Sequence, residues 1–357
     1  MEYKRLGDYI REVNVRNREL KVTNLLGVSI SKEFMPSIAN TIGTDMSTYK
    51  IVERGQFAYG PVTSRNGDKV SIALLDGYDD AIISQAYTVF EVIDHEQLLP
   101  EYLMMWFRRP AFDRYARFHS HGSAREIFDW DELCNVMIPL PSIERQREIV
   151  SEYETLTNRI HLNEQMIQNL EATAQALYRK MFVDGIDKAN LPAGWRNGSL
   201  GEIYKFQYGK GNNNPDNGGQ YPVYGGGKNI IGWYNEYNSE DAPVIGHIGN
   251  CGSLVFAYGK HFVTYNGVIC NILNYKWRYF GYLTLLYCDL ESQNRGSTQP
   301  FLSYDMLYEI IVTIPSVGQI EAFDEQVTPI FSMLYIRQIE ISKLNELKSL
   351  LLAKMGQ

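Results

Sequence analysis

Cysteine is sparse in this chain. Four occur in 357 residues (Cys134, Cys251, Cys270, Cys288), widely spaced and without a CxxC pair, so neither a zinc framework nor a disulfide scaffold is indicated. Long apolar runs are missing as well: no window reaches the roughly 18 uninterrupted apolar residues of a membrane span. The amino terminus, MEYKRLGDYIREVNVRN, is charged and lacks the apolar stretch of a secretory signal. Six histidines (His95, His119, His121, His161, His247, His261) are scattered, and His119-Ser120-His121 stands too isolated to build a metal site. An excess of positive charge is absent too, since the formal net charge is −8, which by itself argues against a nucleic-acid binder. These absences describe a cytoplasmic chain without a membrane segment or structural metal. Its apolar fraction of 45% is ample for packed cores.

What is present is a duplication. From Pro141 the chain reads PSIERQREIVSEYETLTNRIHLNEQMIQNLEATAQALYRKM, and from Pro315 it reads PSVGQIEAFDEQVTPIFSMLYIRQIEISKLNELKSLLLAKM. Pro141 to Pro315 and Lys180 to Lys354 are both 174 positions apart, so the copies align without a gap. In each, large side chains recur in alternating steps of four and three. The first copy gives Ile149, Tyr153, Leu156, Ile160, Asn163, Ile167, Leu170, Ala174, Leu177 and Met181. The second gives Phe323, Val327, Ile330, Leu334, Arg337, Ile341, Leu344, Lys348, Leu351 and Met355. This is the seam of two long helices, each burying one stripe against a partner helix.

The duplication extends outward. Leu6-Gly7-Asp8 is echoed by Leu200-Gly201-Glu202, and Gly122-Ser123 by Gly296-Ser297. The expected organisation is a globular domain over 1–140, a spacer helix over 141–185, a second globular domain over 186–314 and a second spacer helix over 315–357. Within the domains, VSIALL (70–75), AYTVFEVI (86–93), APVIGHI (242–248), SLVFAY (253–258) and VICNILN (268–274) predict strands. Turn clusters such as Arg65-Asn66-Gly67-Asp68 separate them. Tyr102–Phe107, followed by Phe112 and Tyr115, predicts helix, with Tyr279–Leu286 as its counterpart. The fold class is therefore α+β: two mixed α/β domains separated by two long helices.

Ser142 is the expected cap of the first long helix and Gly185 its terminator. Pro329 falls inside the second seam, where an interior proline costs about 3 kcal/mol. Thr328-Pro329 fits a cap followed by proline at the first helical position, which predicts a short helix over 317–327, a break, and a long helix from 329. Thr155-Leu156-Thr157 marks the equivalent place in the first copy. Two matching helices in one chain favour pairing with each other, although the same seam also suits an intermolecular dimer. An antiparallel pair would relate the two domains by an approximate two-fold. It would bring Asn163 and Arg337 to the middle of the seam, where they could satisfy each other and fix register.

No enzyme motif is complete. Gly225-Gly226-Gly227-Lys228 lacks the spacing of a phosphate-binding loop, and Asn214-Pro215-Asp216 is not an Asn-Pro-Pro-aromatic methyltransferase motif. What remains is a binding composition. In the first domain, Arg16, Asn17, Arg18, Arg114, Arg117, His119, His121, Ser123 and Arg125 mix cations and amides with Phe112, Tyr115 and Phe118. In the second, Lys210, Asn212, Gly226, Gly227, Lys228, Asn229, Lys260, His261, Arg295, Thr298 and Gln299 lie on glycine-bearing stretches. Arg and Lys neutralise phosphates, while Arg, Asn and Gln read base edges in pairs of hydrogen bonds. Any one of these residues also fits an ordinary solvated surface.

With these residues in view, the chain resembles the specificity subunits of bacterial Type I restriction–modification systems over essentially its whole length. The resemblance rests on the Leu-Gly-[Asp/Glu] starts, Leu191-Pro192-x-Gly194-Trp195, Tyr221-Pro222-Val223-Tyr224-Gly225-Gly226-Gly227 and the IPLPSIERQREIV lead-in to the first long helix. It implies two target-recognition domains, each reading half of a split double-stranded DNA site, and two helices packed as an antiparallel coiled coil. It also implies a subunit with no catalysis and no cofactor of its own. Two methyltransferase subunits would bring S-adenosylmethionine, and restriction subunits, recruited through them, would use ATP and Mg. A homodimer of the free subunit stays open. The second lead-in, PSVGQIEAFDEQV, lacks the Glu-Arg-Gln of the first, so the two docking surfaces need not be equivalent. Two other classes stay in view: a helical scaffold or partner-sequestering protein that reads no DNA, and an autonomous nuclease or methyltransferase.

Overall fold

The computed structural model describes residues 2–37, 43–63, 69–122, 126–211, 215–292 and 301–356. The chain divides into two compact units, Met1–Leu162 with Ile341–Gln357, and Asn163–Glu340. Each unit therefore contains part of each long helix together with its own globular part.

Unit 1 opens with β1 (Tyr3–Arg5), β2 (Ile10–Val13), β3 (Leu26–Val28), β4 (Phe34–Pro36), β5 (Lys50–Glu53), β6 (Phe57–Gly60), β7 (Ser71–Leu74), β8 (Asp80–Ile83) and β9 (Thr88–Val92). Helices α1 (Pro100–Phe107), α2 (Pro110–Phe118) and α3 (Trp130–Cys134) follow, then β10 (Met137–Pro139) and the long helix α4 (Ile143–Phe182). Four strands form an antiparallel sheet in the order β2-β9-β6-β7, with β3-β4, β5-β8 and β1-β10 as separate pairs. Phe57 and Phe90 stack at 4.7 Å across β6 and β9, and Phe107 of α1 meets both edge-on. This aromatic cluster explains why α1 buries nearly every side chain.

Unit 2 repeats the plan with a larger sheet. Its elements are β11 (Arg196–Ser199), β12 (Tyr204–Tyr208), β13 (Tyr221–Tyr224), β14 (Ile230–Tyr234), β15 (Ser239–Gly246), β16 (Leu254–Val263) and β17 (Gly267–Ile272). Then come α5 (Arg278–Leu286), α6 (Tyr304–Glu309), β18 (Ile311–Ile314) and the second long helix α7 (Val317–Lys354). The order is β12-β17-β15-β16-β13-β14, antiparallel except between β13 and β16. The start of each copy is held in the same way. Leu6, fully buried, donates its amide to Val136 O at 2.8 Å, and Leu200, fully buried, donates to Ile310 O at 3.0 Å. Pro192-Ala193-Gly194-Trp195 closes a turn by a Trp195 N–H to Pro192 O bond of 2.9 Å. Gly194 there sits at φ +80, the third turn position that favours glycine. Trp195 Nε1 then donates to Gln319 on α7 at 2.7 Å.

The two long helices pair antiparallel. In unit 1, Ile149, Val150 and Tyr153 of α4 share a core with Leu351, Leu352 and Met355 of α7, and Lys348 Nζ lies 4.7 Å over the Tyr153 ring. In unit 2, Ala174, Tyr178 and Phe182 share a core with Ile320, Phe323, Val327 and Phe331. Leu156, Ile160, Ile167, Leu170 and Leu177 on α4, and Ile330, Leu334, Ile341, Leu344 and Leu351 on α7, are all buried or half-buried. Ser142 Oγ accepts from Arg145 N at 3.4 Å at the start of α4, and Gly185, at φ +75, follows its end.

Two expectations about the helices need correction. α7 runs unbroken from Val317 to Lys354 with Pro329 inside it, and α4 is likewise continuous through Thr155–Thr157. Proline removes one helical hydrogen bond for about 3 kcal/mol. Burial of Phe323, Val327, Phe331 and Leu334 on the same face contributes roughly 1.5–3 kcal/mol each, so packing outweighs the local penalty. The second concerns the polar seam residues. Arg337 donates to Glu340 Oε2 at 2.6 Å on its own helix, and both Asn163 Nδ2 and Arg337 Nε are buried without a hydrogen-bond partner. The two do not satisfy each other, because the guanidinium is drawn to the nearer carboxylate, and a charged acceptor makes the stronger bond.

Candidate nucleic-acid interface

In each unit a buried polar side chain of a long helix ties down the start of a helix in the globular part. In unit 1 this is Gln146 of α4, fully buried. It accepts from Leu99 N at 2.9 Å and donates to Gln97 O and Pro141 O at 2.8 and 3.1 Å, fixing the chain where α1 begins. In unit 2 it is Asp324 of α7, which accepts from Tyr279 N at 3.1 Å and Phe280 N at 2.8 Å. Those amides open α5 and have no partner within the helix. The sequence copies align Gln146 with Ile320 and not with Asp324, so different residues perform the same attachment.

At the far end of the central strand, both units build the same feature. In unit 1 the chain leaves β6 through Pro61-Val62-Thr63, and Phe128 N donates back to Pro61 O at 2.9 Å. Thr63 Oγ1 donates to Ser120 Oγ at 3.0 Å, which ties this loop to the end of α2. In unit 2 the chain leaves β15 through His247-Ile248-Gly249, and Leu302 N donates back to His247 O at 3.3 Å. Ile127 bridges Val62, and Phe301 bridges Ile248. Ile127 and Phe301 occupy the same place in the repeat. The duplication thus gives each unit the same strand-end loop, met by equivalent returning residues.

In unit 1, α2, tied to this loop at its end, carries Arg114, exposed, and Arg117, which ion-pairs with Glu126. His119 Nδ1 and His121 Nε2 lie 3.4 and 3.8 Å from the Glu132 carboxylate, and Tyr115 stacks on His119 at 4.2 Å. Phe118 is 82% exposed. Arg18 is exposed on a different loop, and Arg16 donates to Thr48 O at 2.5 Å. Asn17 does not face solvent. It is 2% exposed and its amide is used up inside its own turn, donating to Val22 O and accepting from Val22 N.

On unit 2 the loops after β12, β13, β15 and β16 converge. Lys210 N donates to Val263 O, Gly209 N to Gly267 O and Thr264 N to Tyr224 O, all within 3.0 Å. The glycines permit this approach. A Cβ on Gly209 would lie 2.1 Å from Thr264 O, and one on Gly226 2.3 Å from Ile248 O. Gly227 sits beside Asn250, while Lys210, Lys228 and Asn229 are exposed. Lys260 is exposed over the Tyr237 ring at 4.7 Å, and its hydrogen bond to Tyr237 holds its pKa above the ordinary lysine value. His261 belongs to the core instead. It is fully buried, its Nδ1 donates to Gly259 O, and desolvation lowers its pKa. A neutral imidazole in that position makes no phosphate contact. Ser123, Arg125, Asn212, Arg295, Thr298 and Gln299, and the turn Arg65–Asp68, lie outside the described residues.

Sequence reasoning passed over His247, Asn250, Tyr265 and Asn266, which sit among these loops. The dipeptide Asn266-Gly267 between two apolar runs is a turn signal that could have drawn attention to the last two. Among the described residues no three His, Cys, Asp or Glu side chains form a group able to hold a metal ion. No helix among them is long and apolar enough to cross a membrane.

Residues 31–172 and 192–351 each match the model of the Type I restriction modification DNA specificity domain. Among curated relatives, the chain is 24% identical over 186 residues to the Type I restriction enzyme HindI specificity subunit of Haemophilus influenzae, a match spanning 50% of this chain and 40% of that protein. It is 28% identical over 103 residues to the EcoBI specificity subunit of Escherichia coli, covering 29% of this chain and 22% of that one. Each match thus spans less than half of the relative's length. Among solved structures, the Type I restriction-modification S subunit from M. genitalium superposes with a TM-score of 0.63 at 18% identity, covering 99% of this chain and 95% of that one. That likeness extends to the fold.

Proposed function

The chain belongs to the Type I restriction–modification DNA specificity family, and from that premise we propose that it is the non-catalytic subunit reading a bipartite double-stranded DNA target. Unit 1 and unit 2 each read one half of that target. The observation that carries this reading is the repeated strand-end loop, closed by the same returning segment in both units, with exposed Arg114 and Arg117 on the adjoining α2 in one copy and exposed Lys210 and Lys228 on separate loops in the other. Loops on a rigid sheet are where binding residues collect. The acidic total does not oppose this, because phosphate contact needs local cations and partners of the complex add more.

In this reading the antiparallel helices are the spacer. A 40-residue α4 is about 60 Å long, enough to set apart two half-sites. Leu162 and Met166 of α4 and Ile336, Ile339, Leu347 and Leu350 of α7 remain 38–58% exposed. Exposed apolar positions recurring at three- and four-residue steps suit the docking of further helices, and we assign them to the methyltransferase subunits. Restriction subunits join through those. S-adenosylmethionine, ATP and Mg belong to these partners in this reading.

The test is an exchange. Residues 186–314 are replaced by the corresponding segment of a family member with a different target, and the chimera is expressed with its methyltransferase subunits. The expected result is a methylated motif in which one half is new and the other half is unchanged. Both halves unchanged, or methylation without sequence preference, contradicts the reading and favours a scaffold that does not read DNA.

A further inference from the structure

The loop cluster of unit 2 holds a short connection, Thr264-Tyr265-Asn266, that the fold fixes firmly through its backbone and the buried Thr264, without using the side-chain amide of Asn266. Its backbone is anchored on several sides. Thr264 N donates to Tyr224 O at 2.9 Å, Gly267 N to Thr264 O at 3.0 Å, and His247 N to Asn266 O at 2.8 Å. Asn266 N also reaches Thr264 Oγ1 at 3.4 Å. Tyr265 nonetheless stands 51% exposed, with its ring set nearly perpendicular to His247 at 6.2 Å. His247 is itself held, since it is 7% exposed, its Nδ1 meets Leu302 O at 2.7 Å, and Tyr208 packs on it at 4.5 Å. The side-chain amide of Asn266, half-exposed, makes no hydrogen bond to any described residue.

A rigid turn that exposes an aromatic ring beside a free amide is poor economy for stability alone. Exposing a tyrosine face forgoes apolar burial, and ordering the turn loses backbone entropy. It is well suited to recognition, where preorganised groups lose little freedom on binding. An asparagine amide presents a donor and an acceptor side by side, the complement of the adenine N6 and N7 edge in the major groove. An aromatic ring next to it packs on a base face or a thymine methyl group. Lys210, exposed on the neighbouring loop whose amide donates to Val263 O, supplies a phosphate contact that would hold the register.

We propose that Asn266 and Tyr265 are the base-reading pair of unit 2, with Asn266 selecting an adenine in the half-site that this unit reads. The assignment rests on the reading of the chain as a DNA specificity subunit. The experiment uses the complete chain expressed with its methyltransferase subunits, and the methylated motif is determined by single-molecule sequencing for wild type, Asn266→Ala, Asn266→Asp, Tyr265→Ala and Tyr265→Phe.

Both Asn266 variants are expected to make one A·T position of one half-site degenerate, with discrimination there falling roughly 5- to 150-fold. The other half and the spacing stay as in wild type. Tyr265→Ala is expected to lower methylation at all sites about ten-fold or more, within the range of a lost base–aromatic contact, whereas Tyr265→Phe keeps the wild-type level. A wild-type motif with undiminished discrimination in both Asn266 variants overturns the assignment. Uniform loss of methylation in both, without any change of motif, overturns it too, since Asn266 would then serve the fold. If wild type itself yields no sequence-defined motif, the specificity-subunit reading fails, a result distinct from either.

Discussion

Phe323→Ala is expected to destabilise unit 2 by about 3–5 kcal/mol, the range for removing a buried aromatic ring and leaving its cavity. Phe323 is fully buried, and its ring lies edge-on to Tyr178 and Phe182 of α4 at 6.0 and 5.1 Å. Those residues in turn pack on Phe280 of α5 at 5.9 and 5.2 Å. One side chain of α7 therefore joins the partner helix to the globular part, and the hole left by its removal has aromatic walls that cannot easily collapse. Denaturant unfolding of the full chain, followed by the transition of unit 2, measures the effect. A loss below 1 kcal/mol would mean that the helices associate without this cluster. The aligned residue in the first copy, Ile149, is also buried.

Asp324 makes a second large effect, one that depends on pH. The carboxyl is 5% exposed, and burial raises its pKa from 3.8 to about 6 despite the hydrogen bonds from the Phe280, Tyr279 and Arg278 amides and the nearby Arg278 charge, all of which favour the anion. A carboxylate pKa raised in the folded state means that the native protein binds the proton more tightly than the unfolded chain does. Its contribution is thus fully present below pH 3.8 and is lost as pH rises through 6. A shift of this size corresponds to about 3 kcal/mol. Asp324→Asn keeps an oxygen for the Phe280 and Tyr279 amides without a charge. It is expected to match or exceed wild-type stability at pH 8 and to flatten the dependence between pH 4 and 7. Asp324→Ala leaves the amides of α5 buried and unpaired, at about 1–3 kcal/mol for each. Thermal melts of the three proteins across that range provide the check, and the same slope in wild type and the Asn variant would refute the argument.

Some of this architecture was legible in the residues and some was not, for physical reasons. The long helices could be read because an apolar seam at steps of four and three survives any context. The strands VSIALL and VICNILN were equally readable, since β-branched and aromatic runs between turns have few other uses. Pro329 misled because its local penalty is visible in sequence while the burial of Phe331 and Leu334 is a tertiary fact. Asn17 and His261 misled for the same reason. A polar side chain in a basic or glycine-bearing stretch looks solvent-facing until its backbone partners, Val22 and Gly259, are placed beside it. Gln146 and Asp324 escaped notice because their partners lie 47 and 45 positions away, and the repeat alignment does not superimpose them. Tyr265 and Asn266 escaped because a site assembled from four loops has no single motif.

On the proposed reading, this chain alone decides which DNA is modified and reads it as two separated halves. The most direct measurement is the genome-wide methylation pattern of cells that contain the chain and its methyltransferase subunits, against cells lacking only the chain. The account predicts one bipartite adenine-methylated motif with a fixed unspecified spacer, present only with the chain. A contiguous motif, or the same pattern in its absence, would contradict it.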